Sequence, residues 1–286
     1  MTNLCPQLRL ASTTLAVATI LGGGFSAVPT AAQTPADELV AHRAVYELKL
    51  ANTRGKSAVA ARGRILYDFT GSVCEGYKLE FRQVSELDNG EGKQTLSDLR
   101  STTWEDGAAK NYKFNSQNYL NQRLVDTVDG TAERQSSWVS VTLTKPKENK
   151  VALDATIVFP TEHVRRIIDA ARDNKTILEF PVFDGSETGE KVYNTLTVIG
   201  HEIAADQKVP TDAAAGQKAL AGMKRWPVTV SYFDKAGKGG EQTPVYAIGF
   251  ELYENGISRA LMLDYNDFSI SGELKTLEIK DSKPCP

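Results

Sequence analysis

Apolar and polar residues alternate position by position through most of this chain. A period of two restricts it to strands with one solvated face. Tyr46, Leu48 and Leu50 alternate with Glu47 and Lys49, and Tyr77, Leu79 and Phe81 with Lys78, Glu80 and Arg82. The pattern recurs at Val139, Val141 and Leu143 and again at Ile248, Phe250 and Leu252. Turn signals lie between such runs: Asn89-Gly90, Asp106-Gly107, Asp129-Gly130, Asp184-Gly185 and Asn255-Gly256. These dipeptides tolerate the positive φ of tight hairpins. Roughly a dozen or more strands follow, and that many in one sheet must close, curl or split into two layers.

Two stretches break the alternation. Thr161 is placed to cap a helix with Val164, Ile167, Ile168 and Ala171 on one face and Arg165, Arg166, Asp169 and Arg172 on the other. A weaker, Ala-rich helix is predicted from about Asp212 to Lys224, with Leu220 and Met223 apolar and Pro227 ending it. The expected class is all-β, mainly antiparallel, with two short helices.

Arg9 is the only charge in the first 36 residues. It precedes the apolar, small-residue run Leu10 to Ala18, then Ile20, Leu21 and Gly22-Gly23-Gly24, and the segment closes on Thr30-Ala31-Ala32. This is the layout of a cleaved secretory signal over residues 1–32. The apolar run is too short and too rich in Thr, Ser and Gly for a membrane span. Residues 33–286, about 250 in number, are then one large β domain or two small ones, enough for a sizeable core. The formal charge of −3 gives no electrostatic reason to expect nucleic acid, and Lys and Arg are scattered rather than gathered into a membrane-binding patch.

Three cysteines are present, and Cys5 precedes the apolar run, so it leaves with the signal and is not a lipoprotein cysteine. Cys74 and Cys285 remain. In an oxidising compartment a disulfide is their simplest state, clasping the chain end to an early strand and favouring a single domain. A redox-active pair and two free thiols are the alternatives. There is no Cys-x-x-Cys, and an oxidising compartment disfavours free thiols.

Ordinary enzyme signatures are missing. His42, His163 and His201 have no metal-ligand spacing, and His201-Glu202 lacks a second histidine at position 205, which is Ala. His163 reads as a packing or local hydrogen-bonding residue. No Gly-x-Ser-x-Gly occurs after the signal, and Gly185-Ser186 reads as a turn. Asp264 and Asp267, flanking Tyr265-Asn266, are the best acid pair for a hydrolase, against a simpler reading as a polar strand end. No catalytic, cofactor or metal residue is assigned. Trp104, Trp138, Trp226, ten Tyr and ten Phe are spread over the strands, as sheet core or as the lining of an apolar cavity.

Five segments in order carry a resemblance: Ala41-His42-Arg43-Ala44-Val45-Tyr46, Gly63 to Tyr77, Phe159-Pro160-Thr161-Glu162-His163, Gly222 to Phe233, and Ser258 to Leu277. Together they resemble the EipB-like periplasmic cell-envelope integrity family of alphaproteobacteria, formerly a domain of unknown function. The resemblance implies a periplasmic β-spiral, an open barrel or cup with a cavity, similar in shape to lipoprotein carriers. It also implies a disulfide between Cys74 and Cys285 and a link to a periplasmic tetratricopeptide-repeat protein. It brings no catalytic residues.

Three functions follow, in order of preference. The first is a non-enzymatic module that maintains the envelope and binds a lipid or lipoprotein acyl chain in its cup. The second is an envelope scaffold that binds a protein partner without a small ligand, and the third is a cryptic envelope hydrolase.

Overall fold

A computed structural model describes residues 38–55, 58–207, 210–234, 243–281 and 285. The signal expected over residues 1–32, Cys5 included, lies outside them. The first eight strands are β1 (His42–Thr53), β2 (Ala60–Ser72), β3 (Gly76–Asp88), β4 (Gln94–Glu105), β5 (Asn111–Leu120), β6 (Arg123–Arg134), β7 (Trp138–Lys145) and β8 (Asn149–Asp154). Helix α1 (Pro160–Arg172) follows, then β9 (Ile177–Val182), β10 (Tyr193–Ile199), β11 (Arg225–Phe233), β12 (Tyr246–Tyr253), β13 (Ser258–Asp264) and β14 (Phe268–Ile279).

All fourteen strands belong to one sheet, ordered β8-β7-β6-β5-β4-β3-β2-β1-β14-β13-β12-β11-β10-β9. Strands β1 to β8 wind outward from the centre, and β9 to β14 wind back until β14 lies beside β1, with His42 opposite Ile279 and Leu48 opposite Gly272. Every ladder is antiparallel. The edges β8 and β9 do not pair, so the sheet curls without closing. The open, many-stranded antiparallel architecture is the one expected.

Register decides which side chains share the inner face. Tyr46 stands opposite Ile65 and Leu274, Tyr67 opposite Phe81, and Val228 opposite Phe250. Helix α1 lays its apolar stripe on this face. Ile167, Ile168, Ala170 and Ala171 are buried with Phe69, Tyr77, Trp226, Val230 and Leu252. Burying a side chain such as Ile167 contributes about 1.5–3 kcal/mol, so packing rather than intrinsic propensity holds the helix.

Three local expectations are corrected. Thr161 does not cap α1: Phe159 is at the cap position and Pro160 opens the helix. Glu105 of β4 supplies the missing acceptor, taking the amide hydrogens of Thr161 and Glu162 at 2.8 Å each. The Ala-rich segment is not an α-helix but two 3₁₀ turns, Ala213–Gly216 and Lys218–Leu220. Gln217 between them is extended at φ −90° and ψ 109°. A short run with Gly216 in it and little apolar surface cannot sustain a longer helix. Asp129-Gly130 is not a turn but lies inside β6, where a Cβ at Gly130 would stand 2.7 Å from Phe114 and 2.9 Å from Leu143. That glycine serves a close approach across the sheet. The β5–β6 reversal is made by Asn121 and Gln122, both at positive φ.

Candidate functional site

The curled inner face does not fill completely. A cavity of about 480 Å³ is lined by side chains such as Tyr46, Phe81, Leu99, Ile248, Leu261 and Leu263, from β1, β3, β4, β12 and β13. A second lobe of about 240 Å³ lies toward α1, with His42, Thr103, His163, Asp184 and Asn255 in its lining. Tyr67, Val164, Tyr232, Phe250 and Gly256 line both, so the two lobes adjoin. The larger lobe has the size and apolar lining of a small-molecule pocket. Tyr265, 37% exposed, stands at its rim.

Period two builds this lining. Inward residues of β12 are Ile248, Phe250 and Leu252, and their outward neighbours include Glu251. Tyr67, Phe81, Tyr232 and Phe250 are partly accessible although they face inward, because the surface they keep faces the cavity. Tyr232 stacks on Tyr246 at 4.4 Å between ring centres, with Tyr193 edge-on to both. Burial pushes the Tyr46 hydroxyl up to about 12, and it donates to the Ser258 carbonyl at 2.8 Å. The Tyr67, Tyr232 and Tyr246 hydroxyls are also raised by burial, so all stay protonated at any physiological pH.

The smaller lobe holds the titratable groups. Burial lowers the pKa of His42, whose Nδ1 is 2.7 Å from the Val40 carbonyl and whose ring stacks on Tyr67. Burial likewise lowers His163, to about 4, with the Arg166 charge adding to it. Both histidines are therefore neutral at pH 7. Burial raises the pKa of the Asp184 carboxyl against the hydrogen bonds it receives from Ser186.

The residues singled out in the sequence separate clearly. Cys74, in the β2–β3 turn, and Cys285 come together with Cα atoms 5.7 Å apart, within disulfide range. His163 is buried edge-on to Phe180 and is a packing residue. Asp264 is ion-paired with Arg54 at 2.6 Å, which lowers its pKa, and it lies on the β13–β14 reversal with Asp267. Neither carboxylate lines the cavity. Among the described residues no group of three or more His, Cys, Asp or Glu is arranged to hold a metal, and no helix is long and apolar enough to cross a membrane. Of the tryptophans, Trp226 is core, Trp138 is exposed and Trp104 lies under Lys113.

Two features escaped the sequence reading. One is Asp184 in the cavity, hidden because Asp184-Gly185 reads as a turn, and Gly185 does have φ +70°. The other is a buried ionic chain on the outer face of the sheet. Arg225 and Arg259 both donate to Glu251 Oε2, and Arg259 Nε donates to Asp212 at 2.8 Å. It ties β11, β12 and β13 to the 3₁₀ segment, and no spacing signals it because its members come from four elements.

A family model of EipB-like proteins matches residues 33–281. The "Cell envelope integrity protein EipB" of Brucella abortus is 37% identical over 277 residues, covering 96% of each chain. A crystal structure from the same organism, described as a β-barrel-like protein of a domain of unknown function, aligns with a TM-score of 0.77 at 37% identity, covering 85% of this chain and 99% of that one. By sequence along nearly its whole length, and by the architecture those residues build, the chain belongs to the EipB-like family.

Proposed function

We propose that this chain is a non-enzymatic periplasmic protein that maintains the cell envelope and holds a lipid or acyl-like ligand in its cup. The envelope role comes from the relative's name. The ligand comes from one observation: an apolar cavity of about 480 Å³ ringed by inward aromatic and aliphatic side chains. Protein interiors are normally close-packed, so a cavity of this size costs stability unless something occupies it. Residues 1–32 act as the export signal, residues 33–286 as one domain, and Cys74 with Cys285 as its disulfide. The mainly apolar and aromatic lining of the larger lobe supports binding over hydrolysis.

A second reading rests on the free edge. Among the described residues strand β8 has no neighbour on its outer side, and an unpaired strand is a template for pairing with another chain. A periplasmic tetratricopeptide-repeat protein is the candidate partner under either reading.

Val164, on α1, borders both lobes, so Val164→Trp fills them while leaving the sheet intact. N-phenylnaphthylamine, an uncharged apolar fluorophore, brightens with the unmodified protein and loses that response with Val164→Trp, at unchanged melting temperature. Equal brightening with both proteins contradicts the cavity reading.

A further inference from the structure

The two lobes would meet a ligand differently. In the larger one the walls are mainly hydrocarbon and aromatic, with Gln83, Ser258 and tyrosine hydroxyls as their polar groups, and the Tyr46 hydroxyl is already spent on the Ser258 carbonyl. In the smaller one three polar side chains have capacity left. His42 Nδ1 is held by the Val40 carbonyl, which fixes the tautomer and leaves Nε2 as an acceptor. Asn255 Oδ1 takes the Ile257 amide hydrogen, and Asn255 Nδ2 is buried with no acceptor. Buried donors in folded proteins are almost always satisfied, so an orphan on a cavity wall points to a group that belongs there. The Asp184 carboxyl is the third. The Ser186 amide donates to its Oδ1 at 2.9 Å, and Glu187, another carboxylate, is the charge that acts on it.

We propose that the smaller lobe is a headgroup subsite for a single-chain lipid with an uncharged, hydroxyl- or amide-bearing head, and that it discriminates against an anionic head. The inference rests on the ligand-cavity reading and deepens it. Two acceptors and one donor, Asp184, His42 Nε2 and Asn255 Nδ2, match a hydroxyl or an amide, each of which both gives and receives a hydrogen bond. Among the described residues no Lys or Arg lines either lobe. A carboxylate or phosphate placed there would be desolvated beside Asp184 with no cation in the wall to pair with it; the charges that reach the lobe, Arg166 acting on His163 and Lys280 on His42, stand behind the lining. The polar lobe lies toward α1 and the apolar lobe reaches the Tyr265 rim, so the head sits deep and the chain runs outward.

The test compares two probes of equal chain length, 1-monolaurin and laurate, at pH 8 and below their micellar concentrations, by titration calorimetry against the delipidated full domain. Monolaurin is expected to bind at least about tenfold more tightly, since each factor of ten is only 1.4 kcal/mol. Asp184→Asn, isosteric and uncharged, is expected to tighten laurate until the two probes differ by less than about threefold. Asn255→Leu removes the orphan donor without adding charge and is expected to weaken monolaurin while leaving laurate as it was. Equal affinities in the unmodified protein, or a ratio indifferent to Asp184→Asn in a variant that melts normally, overturn the headgroup assignment and leave the cavity reading standing. Failure of both probes to bind overturns both.

Discussion

Cutting the Cys74–Cys285 link acts almost wholly on the unfolded chain. Cys74 lies in an exposed turn, and Cys285 lies beyond β14, which is already paired on both sides by β1 and β13. Lys280 is independently held by the Ala41 carbonyl and by Asp68. Replacing either cysteine with serine therefore leaves the sheet, the helix and the cavity in place. The unfolded chain instead gains the freedom of a loop 211 residues long. The loop-closure relation, 2.1 + 1.5R ln n in cal/mol/K, gives about 5 kcal/mol at 25 °C for that length, an upper value because residual structure in the unfolded chain reduces it. At about 2–4 °C per kcal/mol for a domain of this size, the melting temperature should fall by up to roughly 10–20 °C. The assay is thermal unfolding of Cys74→Ser, Cys285→Ser and the unmodified protein, each with and without reductant. Oxidised unmodified protein should melt highest, reductant should bring it down to the serine variants, and the variants should ignore reductant. Probe binding at 20 °C should be equal in all. If oxidised protein and variants melt together, or if alkylation traps two free thiols in protein from the periplasm, the clasp does not exist and the reasoning fails.

Three further outcomes follow from the packing and the charges. Glu251→Gln removes the buried charge that Arg225 and Arg259 share and should cost about 3–5 kcal/mol in urea unfolding; a loss below 1 kcal/mol would mean the ionic chain is incidental. Ile167→Ala removes the buried centre of the α1 stripe and should cost about 2–5 kcal/mol, whereas an exposed helix would lose almost nothing. Glu105 sits at about 7 instead of 4.5, chiefly because burial penalises its charge. The folded state then keeps a proton that the unfolded state has released between those values, so the Glu105 contribution to stability is full below pH 4.5 and falls as pH rises toward 7, while the lowered pKa values of His163 and His42 act in the opposite sense. Glu105→Gln should flatten that fall by at most on the order of 3 kcal/mol, and melting curves across the window check it; an unaltered slope would remove Glu105 from the account.

Local rules exposed most of the architecture, and tertiary contacts supplied the exceptions. Alternation at Tyr46–Leu50, Tyr77–Phe81, Val139–Leu143 and Ile248–Leu252 marks real strands and their inward faces, because a half-buried antiparallel sheet writes its pleat into the sequence. Asn255-Gly256 makes the turn it announces, with Gly256 at φ +88°. The misses share one cause. Gly130 is dictated by Phe114 and Leu143 across the sheet, the α1 cap comes from Glu105 on β4, and the 3₁₀ segment is shaped by the Asp212–Arg259 pair and by Gln217 donating to the Leu277 carbonyl. None of these partners is near in sequence. The resemblance implied a cup with a cavity, whereas the residues themselves offered only a choice between core and lining for each aromatic side chain. That choice depends on how tightly the sheet curls and how much of the inner face α1 covers, neither of which is written in any one strand.

The central claim is that the cup holds a ligand. Mature protein purified gently from the periplasm of its own host, weighed intact under native conditions and again after organic extraction, tests it most directly. The account predicts one single-chain lipid per protein, released on denaturation and absent from Val164→Trp purified in parallel. Repeated preparations that weigh as the bare polypeptide, with extracts no richer than those of Val164→Trp, would contradict it and turn the search to the unpaired β8 edge.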